Sequence, residues 1–412
     1  MLIIISGIAM IVAIIIALTI TIVISEKFLV KHGNVKLTIN DDKENALDIE
    51  TGDTLLNTLT ENNILIPSAC GGGGTCGYCT CQVTSGGGDL LPTEETHINR
   101  KQAKDNWRLA CQVKVREDME IKVPDEVFST KKWECEVVSN DNVATFIKEF
   151  VVKLPEGEKL DFKPGGYIQI EIPKYNLNAG KDFEIEDMYR DDWDKIKAFD
   201  LTTKNSEKII RAYSMANYPA EGDIVMLNVR IATPPWDRKK NRFKKVPSGI
   251  SSSFIFSKKG GDKVMISGPY GEFFINESDS EMMYIGGGAG MAPLRSHIMH
   301  LFHTLKTKRK VTFWYGARSR REIFYEKDFR AIEKEFPNFT FNIALSEALP
   351  EDNWKGMTGF ISQAVFDHYL KDHEEPEEIE YYLCGPGPMM TAINIMLSDL
   401  GVESEMIRYD EF

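Results

Sequence analysis

A chain of 412 residues predicts two to four domains at roughly 100 to 200 residues each, which excludes a single small module. Its 49 lysines and arginines stand against 62 aspartates and glutamates, a net charge of −13, the opposite of the balance a duplex-binding protein shows. Seven cysteines, four of them crowded between Cys70 and Cys81, do not resemble the spread bridges of a secreted disulfide framework and read as ligands in a reducing compartment.

From Leu2 to Ser25 no side chain is charged. About 24 helical residues at ~1.5 Å each reach ~36 Å, enough to cross a hydrocarbon core of ~30 Å. The reading is a transmembrane anchor over residues 1–26 and not a cleaved signal peptide. No basic n-region precedes it, the apolar run exceeds the usual ~7 to 15 residues, and Ser25-Glu26-Lys27 is a poor cleavage site. Lys27, Lys31 and Lys36 follow the helix, so the positive-inside bias places the rest of the chain on the cytoplasmic side of the inner membrane. A single helix with no ionisable side chain at membrane depth cannot by itself conduct ions.

The first soluble module is predicted over residues 34–126. Val35–Asn40 and Ala46–Glu50 read as strands, and Thr54–Glu61 as a helix with Leu55, Leu56 and Leu59 on one face, the pattern of a small α+β domain. Next comes IPSACGGGGTCGYCTCQV, with Cys70, Cys76 and Cys79 spaced C-x5-C-x2-C, and then Cys111 in LACQV. Three thiolates on a loop and one from a distant strand can enclose a 2Fe-2S cluster, and the glycine run permits left-handed backbone around it. A structural zinc site is the competing reading, though it more often uses two paired C-x2-C knuckles. Cys81, two residues beyond Cys79, is expected to be a buried bystander. This module resembles the 2Fe-2S ferredoxins of β-grasp fold, in the variant with one extra residue in the first gap.

Residues 130–275 are expected to form an antiparallel barrel, from the alternation in Trp133–Ser139, Ala144–Leu154 and Tyr167–Ile172 and from Pro-Gly turns such as that in FKPGGY. Arg211-Ala212-Tyr213-Ser214 supplies a guanidinium for phosphate, an aromatic face and a hydroxyl, a set that suits a flavin. Gly249 opens a short helix through Ser251, Ser252 and Ser253 whose free N–H groups could take a pyrophosphate. Gly268–Phe274 closes the barrel with a turn. Tyr175–Ile209 interrupts it with a polar, acidic insertion containing DMYRDDWDK, read as a solvated loop in preference to a docking surface.

Residues 280–412 read as a doubly wound α/β domain. The strand Met282–Ile285 runs into GGGAGMAP and a helix with Leu294, Ile298, Leu301 and Leu305 on one face, a dinucleotide site made by Gly287, Gly288, Gly290 and the following helix. Pro293 stands where the Rossmann pattern has its third glycine. Val311–Tyr315, Phe339–Leu345 and Tyr381–Leu383 supply further strands. Cys384 ends the last of these, at the carboxyl edge where ligands bind. Arg318, Arg320 and Arg321 follow the second strand and suit a 2′-phosphate, while Glu322 argues for an unphosphorylated ribose, so residue chemistry leaves NADH against NADPH open.

The order RAYS, GISS, GPYGEFF, GGGAGMAP and CGPGPM resembles the ferredoxin–NADP reductase superfamily. The resemblance implies that Arg211 contacts phosphate and that Tyr213 stacks on FAD. It also implies Ser214 near the reactive nitrogen, Gly249 and Ser252 at the pyrophosphate, Cys384 near the reacting nicotinamide carbon and Phe412 covering the flavin. With the anchor, the C-x5-C-x2-C ferredoxin, the insertion before IIRAYSMANYP and the terminal YDEF, the whole chain resembles the family of F subunits of sodium-translocating NADH:quinone oxidoreductases. That implies NADH as donor, FAD and a 2Fe-2S cluster as cofactors, partner subunits of a membrane redox complex, and quinone reached through those partners, which also carry the sodium path. Two other readings compete: an anchored NAD(P)H-dependent reductase feeding an oxygenase or another redox protein, and a tethered ferredoxin relay without enzymatic activity.

Overall fold

The computed structural model describes residues 7, 10–21, 33–124, 127–128, 130–237, 239–240 and 242–410. Of the predicted anchor it describes Gly7 and residues 10–21, which are helical with exposed apolar side chains such as Met10 and Ile15. No helix among the described residues is long and apolar enough to cross a membrane, and the remainder of residues 1–26 lies outside the described residues.

The chain divides into two units, residues 1–130 and 131–412. In the first, Asn34–Ile39 and Asp42–Glu50 form a hairpin closed by Asn40 and Asp41 at φ 50° and 64°, residue types that tolerate the left-handed turn a tight hairpin requires. The five-stranded sheet runs in the order 42–50, 34–39, 119–122, 80–85 and 107–109. Its first and last strands in the chain, Asn34–Ile39 and Met119–Lys122, lie side by side and parallel, which is the mixed sheet of a β-grasp domain. The helix Leu55–Glu61 is capped by the Thr54 hydroxyl, which accepts from the N–H of Asn57. Its Leu55, Leu56 and Leu59 are buried in one core with Leu37, Ile49, Val83 and Ile121.

The second unit holds two large sheets. Six antiparallel strands in the order 209–214, 167–172, 263–270, 131–144, 147–153 and 224–230 make the barrel, joined across its open side by a bridge between Met215 and Leu227. Alternate residues, among them Cys135, Phe150, Ile168, Ile170 and Leu227, fill it. The segment from Gly268 continues the strand Lys263–Tyr270 instead of turning at once. The other sheet has six parallel strands in the order 357–358, 339–345, 311–317, 282–287, 380–384 and 407–410. The chain winds one way from Met282–Gly287 and then returns to its other side, so the crevice of a doubly wound sheet opens between that strand and Glu380–Cys384.

The insertion is ordered, which corrects the expectation of a solvated loop. Tyr175–Asn178 pairs with Thr202–Asn205, and the helix Asp187–Lys195 lies between them in the chain. Tyr189 and Trp193, one turn apart, are buried in the barrel core, Trp193 completely. Two large aromatics on one face of a polar segment give it enough apolar surface to pack, although the segment's composition hides them.

Candidate functional site

The four spaced cysteines come together as two pairs. The sulfurs of Cys70 and Cys76 lie 3.4 Å apart on the loop before Thr80–Ser85, where Gly71, Gly72 and Gly74 take positive φ. Cys79 and Cys111, both buried, hydrogen-bond through their thiols, and the Ala110 N–H donates to the Cys79 carbonyl at 2.8 Å, tying the distant segment to the loop. Among the described residues no three His, Cys, Asp or Glu side chains gather around one point as a single ion needs. Two pairs instead suit two irons that each take two thiolates, so the donor set fits a 2Fe-2S cluster better than zinc.

Within each pair the hydrogen bond lowers one thiol and raises the other. The hydrogen bond from Cys76 brings the Cys70 thiol down to about 3 and raises Cys76, while Cys79 in the same way lowers Cys111 to about 7 and is itself raised. Cys81 is fully buried in the module core, where burial pushes its thiol up to about 12. Sequence reasoning missed an ion pair that holds the backbone two residues before Cys111. The Arg108 Nη2 meets Glu94 Oε2 at 2.7 Å with both side chains buried, and the other Glu94 oxygen accepts from the Leu109 N–H at 2.8 Å. Two charged residues 14 apart carry no local signal of pairing.

On the flavin side, Ile209–Ser214 pairs along its whole length with Tyr167–Ile172, which aligns Arg211, Tyr213 and Ser214. Arg211 donates to the neighbouring Ile210 carbonyl through Nη1, at 2.7 Å, leaving most of its fork for a phosphate. The Tyr213 hydroxyl donates to Ser251 Oγ at 2.9 Å, and burial pushes its ionisation up to about 12. Gly249 does precede a helix, Ile250–Phe256. Ser252 Oγ there accepts from the Ala232 N–H at 3.1 Å and donates to the Gly249 carbonyl at 3.3 Å, so it holds the loop onto the helix start. Ser248 was not anticipated: its buried hydroxyl has no partner among the described residues, and it stands beside Gly249, where it could donate to a phosphate.

On the nicotinamide side, Gly287 ends a buried strand, and Gly288–Gly290 turns into the helix Met291–Met299, with Pro293 in its first turn. That helix is bolted to the chain just past the flavin strand. Arg295 donates to the Ala216 carbonyl at 2.8 Å and bidentately to Glu221, and Ser296 donates to the Asn217 carbonyl at 2.7 Å. The buried His297 is held neutral, its ionisation pushed down to about 4 by burial. Its Nε2–H lies 3.1 and 3.0 Å from the carbonyls of Pro164 and Phe273.

One of the contacts between the barrel and the parallel sheet brings three residues together. Cys384 is the register partner of Gly286 on one side and of Asp410 on the other. Ser214 Oγ donates to Asp410 Oδ2 at 2.5 Å. A hydroxyl and a carboxylate thus meet beside the buried Cys384 at the end of the neighbouring strand, and the cost of removing water from Asp410 pushes its carboxyl up to about 6. Asp410 escaped the sequence reading because its partner lies 196 residues away. Phe412 lies outside the described residues.

Two family models match the chain, the 2Fe-2S iron-sulfur cluster binding domain over residues 38–116 and the oxidoreductase NAD-binding domain over residues 284–394. It is 54% identical over 406 residues to the F subunit of the Na(+)-translocating NADH-quinone reductase of Actinobacillus succinogenes, covering 98% of both chains, and equally to that of Neisseria gonorrhoeae. Among solved structures, an Amycolatopsis cytochrome P450 reductase is similar with a TM-score of 0.62 at 22% identity, over 92% of this chain and 98% of that one. The ferredoxin reductase in carbazole 1,9a-dioxygenase is similar with a TM-score of 0.59 at 24% identity, over 93% and 99%. At these identities the two structures speak to the fold alone.

Proposed function

The chain belongs to the family of Na(+)-translocating NADH-quinone reductase F subunits, and from that premise we propose how its residues carry electrons inward from NADH. It is the electron-input subunit of a multi-subunit oxidoreductase, with FAD and a 2Fe-2S cluster as cofactors. FAD, when bound, converts the two electrons of a hydride into single electrons that the cluster can accept. The observation that carries the reading is the meeting of Ser214, Asp410 and Cys384 where the barrel and the parallel sheet adjoin.

Gly287, Gly288 and Gly290, with the start of the helix at Met291 through Pro293, receive the NADH pyrophosphate on backbone N–H groups. Cys384 and Ser214 confine the nicotinamide, and Phe412 covers the flavin in its absence. Arg211, Ser248, Gly249 and Ser252 hold the FAD phosphates, and Tyr213 packs on the ring. Cys70 and Cys76 take one iron, Cys79 and Cys111 the other. Residues 1–26 anchor the chain by a single pass in the inner membrane with its catalytic modules in the cytoplasm, and partner subunits pass electrons to quinone and export sodium. Membrane fractionation tests the anchor: removing residues 1–26 should release a soluble chain that still oxidises NADH with an artificial acceptor, and a truncated chain that stays in the membrane would refute it.

Replacing Arg211 by Leu removes a charge-assisted phosphate contact worth roughly 1.5 to 3 kcal/mol, about one to two decades in FAD affinity. Equilibrium titration of the flavin measures this directly, and unchanged affinity would show that the phosphate assignment is wrong.

Asp410 supplies a pH dependence. As a carboxylate it stabilises the positive charge that grows on nicotinamide as hydride leaves. The rate of FAD reduction by NADH should therefore rise through an apparent pKa near 6, by about tenfold or ~1.4 kcal/mol in barrier. Stopped-flow rates of Asp410→Asn should stay at the low level across that range, and a variant that keeps the wild-type profile would remove Asp410 from the step. The stability effect has the opposite sense. The folded chain holds this proton more tightly than the unfolded chain, so the contribution is present below about 3.8 and is lost as pH rises through about 6.

A further inference from the structure

We propose that the acidic insertion selects the coenzyme: Asp191 and Asp192 occupy the guanidinium groups a 2′-phosphate would need, and so make this a site for NADH and not NADPH. The inference rests on the NADH reading above and assigns its specificity to named side chains.

In doubly wound sheets the adenosine ribose lies at the carboxyl end of the strand beside the glycine turn, where an arginine can take a 2′-phosphate. That strand here is Val311–Ala317, with Gly316 in register with Gly287. Arg318, Arg320 and Arg321 follow it at the sheet edge. Three cations in four positions would ordinarily favour a phosphate dianion.

The insertion already engages two of them, Arg321 and Arg318. Arg321 Nη1 contacts Asp191 Oδ1 at 2.9 Å and its Nη2 contacts Asp192 Oδ2 at 2.7 Å, so both arms of the fork are used. Arg318 lies 3.5 Å from Asp192 and 3.3 Å from Glu322. Glu322 is itself fixed, accepting from the backbone N–H and the hydroxyl of Thr145. The Thr145 carbonyl accepts in turn from Trp193 Nε1 at 2.7 Å. Because Trp193 is completely buried, the helix that carries Asp191 and Asp192 cannot swing aside without emptying a core position. Arg230 lies near Arg318, and it and Arg320 stay exposed, but guanidinium groups held in water gain little each from a phosphate. A 2′-phosphate would have to displace two carboxylates or lie against them, and either cost falls on NADPH alone.

The test uses the full-length protein with FAD bound and follows FAD reduction by each coenzyme, with adenosine 2′-phosphate as an equilibrium probe. In Asp191→Asn/Asp192→Asn, kcat/KM for NADPH should rise at least about tenfold while that for NADH changes less than about twofold, a shift in discrimination of the size one pocket contact commands. Adenosine 2′-phosphate should bind correspondingly tighter, and adding Arg321→Gln should cancel both gains. Asp191→Asn alone, at a side chain 67% exposed, cannot unseat the helix and should give part of the effect. If wild type reduces its FAD with NADH yet the Asn variants bind adenosine 2′-phosphate no better and still refuse NADPH, the insertion's role is overturned and the function reading stands. A wild-type chain that carries FAD but is not reduced by NADH would overturn both.

Discussion

Cys111→Ala should stop electron delivery beyond the flavin while FAD reduction by NADH stays near the wild-type rate. The substitution removes one of the two thiolates of the Cys79–Cys111 pair and leaves an iron with an open position, so the cluster is lost or badly altered. The residues proposed to confine the hydride transfer, Ser214, Asp410 and Cys384, do not belong to the unit that holds the four cysteines. Stopped-flow reduction of FAD should therefore survive while quinone reduction by the assembled complex nearly ceases. Cys81→Ala is the control. Its thiol is wholly buried in the apolar core of the same module, and its loss should cost only packing, on the order of 1 kcal/mol. Iron and sulfide content with both rates decides the assignment. Normal quinone reduction without Cys111, or cluster loss without Cys81, would overturn it.

Gly290→Ala should have a comparably large effect on the other half of the pathway. A Cβ at residue 290 would stand 2.1 Å from the Cys384 carbonyl oxygen and 2.7 Å from the Gly385 nitrogen. Both obstacles are backbone, so relief requires the helix start and the Cys384 turn to move apart. The reason for glycine here is closeness and not conformation: Gly290 has ordinary helical φ of −59°, whereas the neighbouring Gly288, at φ 58°, serves the turn. In the proposed site the pyrophosphate and the nicotinamide share this contact, so NADH-driven FAD reduction should fall by about 100-fold or more, ~2.7 kcal/mol in transition-state stabilisation. FAD content should be unchanged, since the flavin residues lie on the barrel. A variant with normal NADH kinetics would show that the crevice tolerates the displacement and that its geometry does not control hydride transfer.

What the sequence alone determined is whatever depends on residues close together in the chain. The C-x5-C-x2-C spacing, the helix face of Leu55, Leu56 and Leu59, the alternation along the barrel strands and the glycine turn into an apolar helix each report a local geometry, because side-chain period and turn conformation are set within a few residues. The tertiary structure alone decided the pairings between distant charged and polar groups. Arg108 with Glu94, Ser214 with Asp410 and Arg321 with Asp191 and Asp192 are separated by 14, 196 and about 130 residues. A formal charge looks the same in the sequence whether solvent or a carboxylate faces it. For that reason Arg318, Arg320 and Arg321 left the coenzyme undecided, and a polar, acidic segment concealed a helix seated by Tyr189 and Trp193. Only packing, which removes water from some of these groups and brings others within hydrogen-bond reach, assigns each its partner.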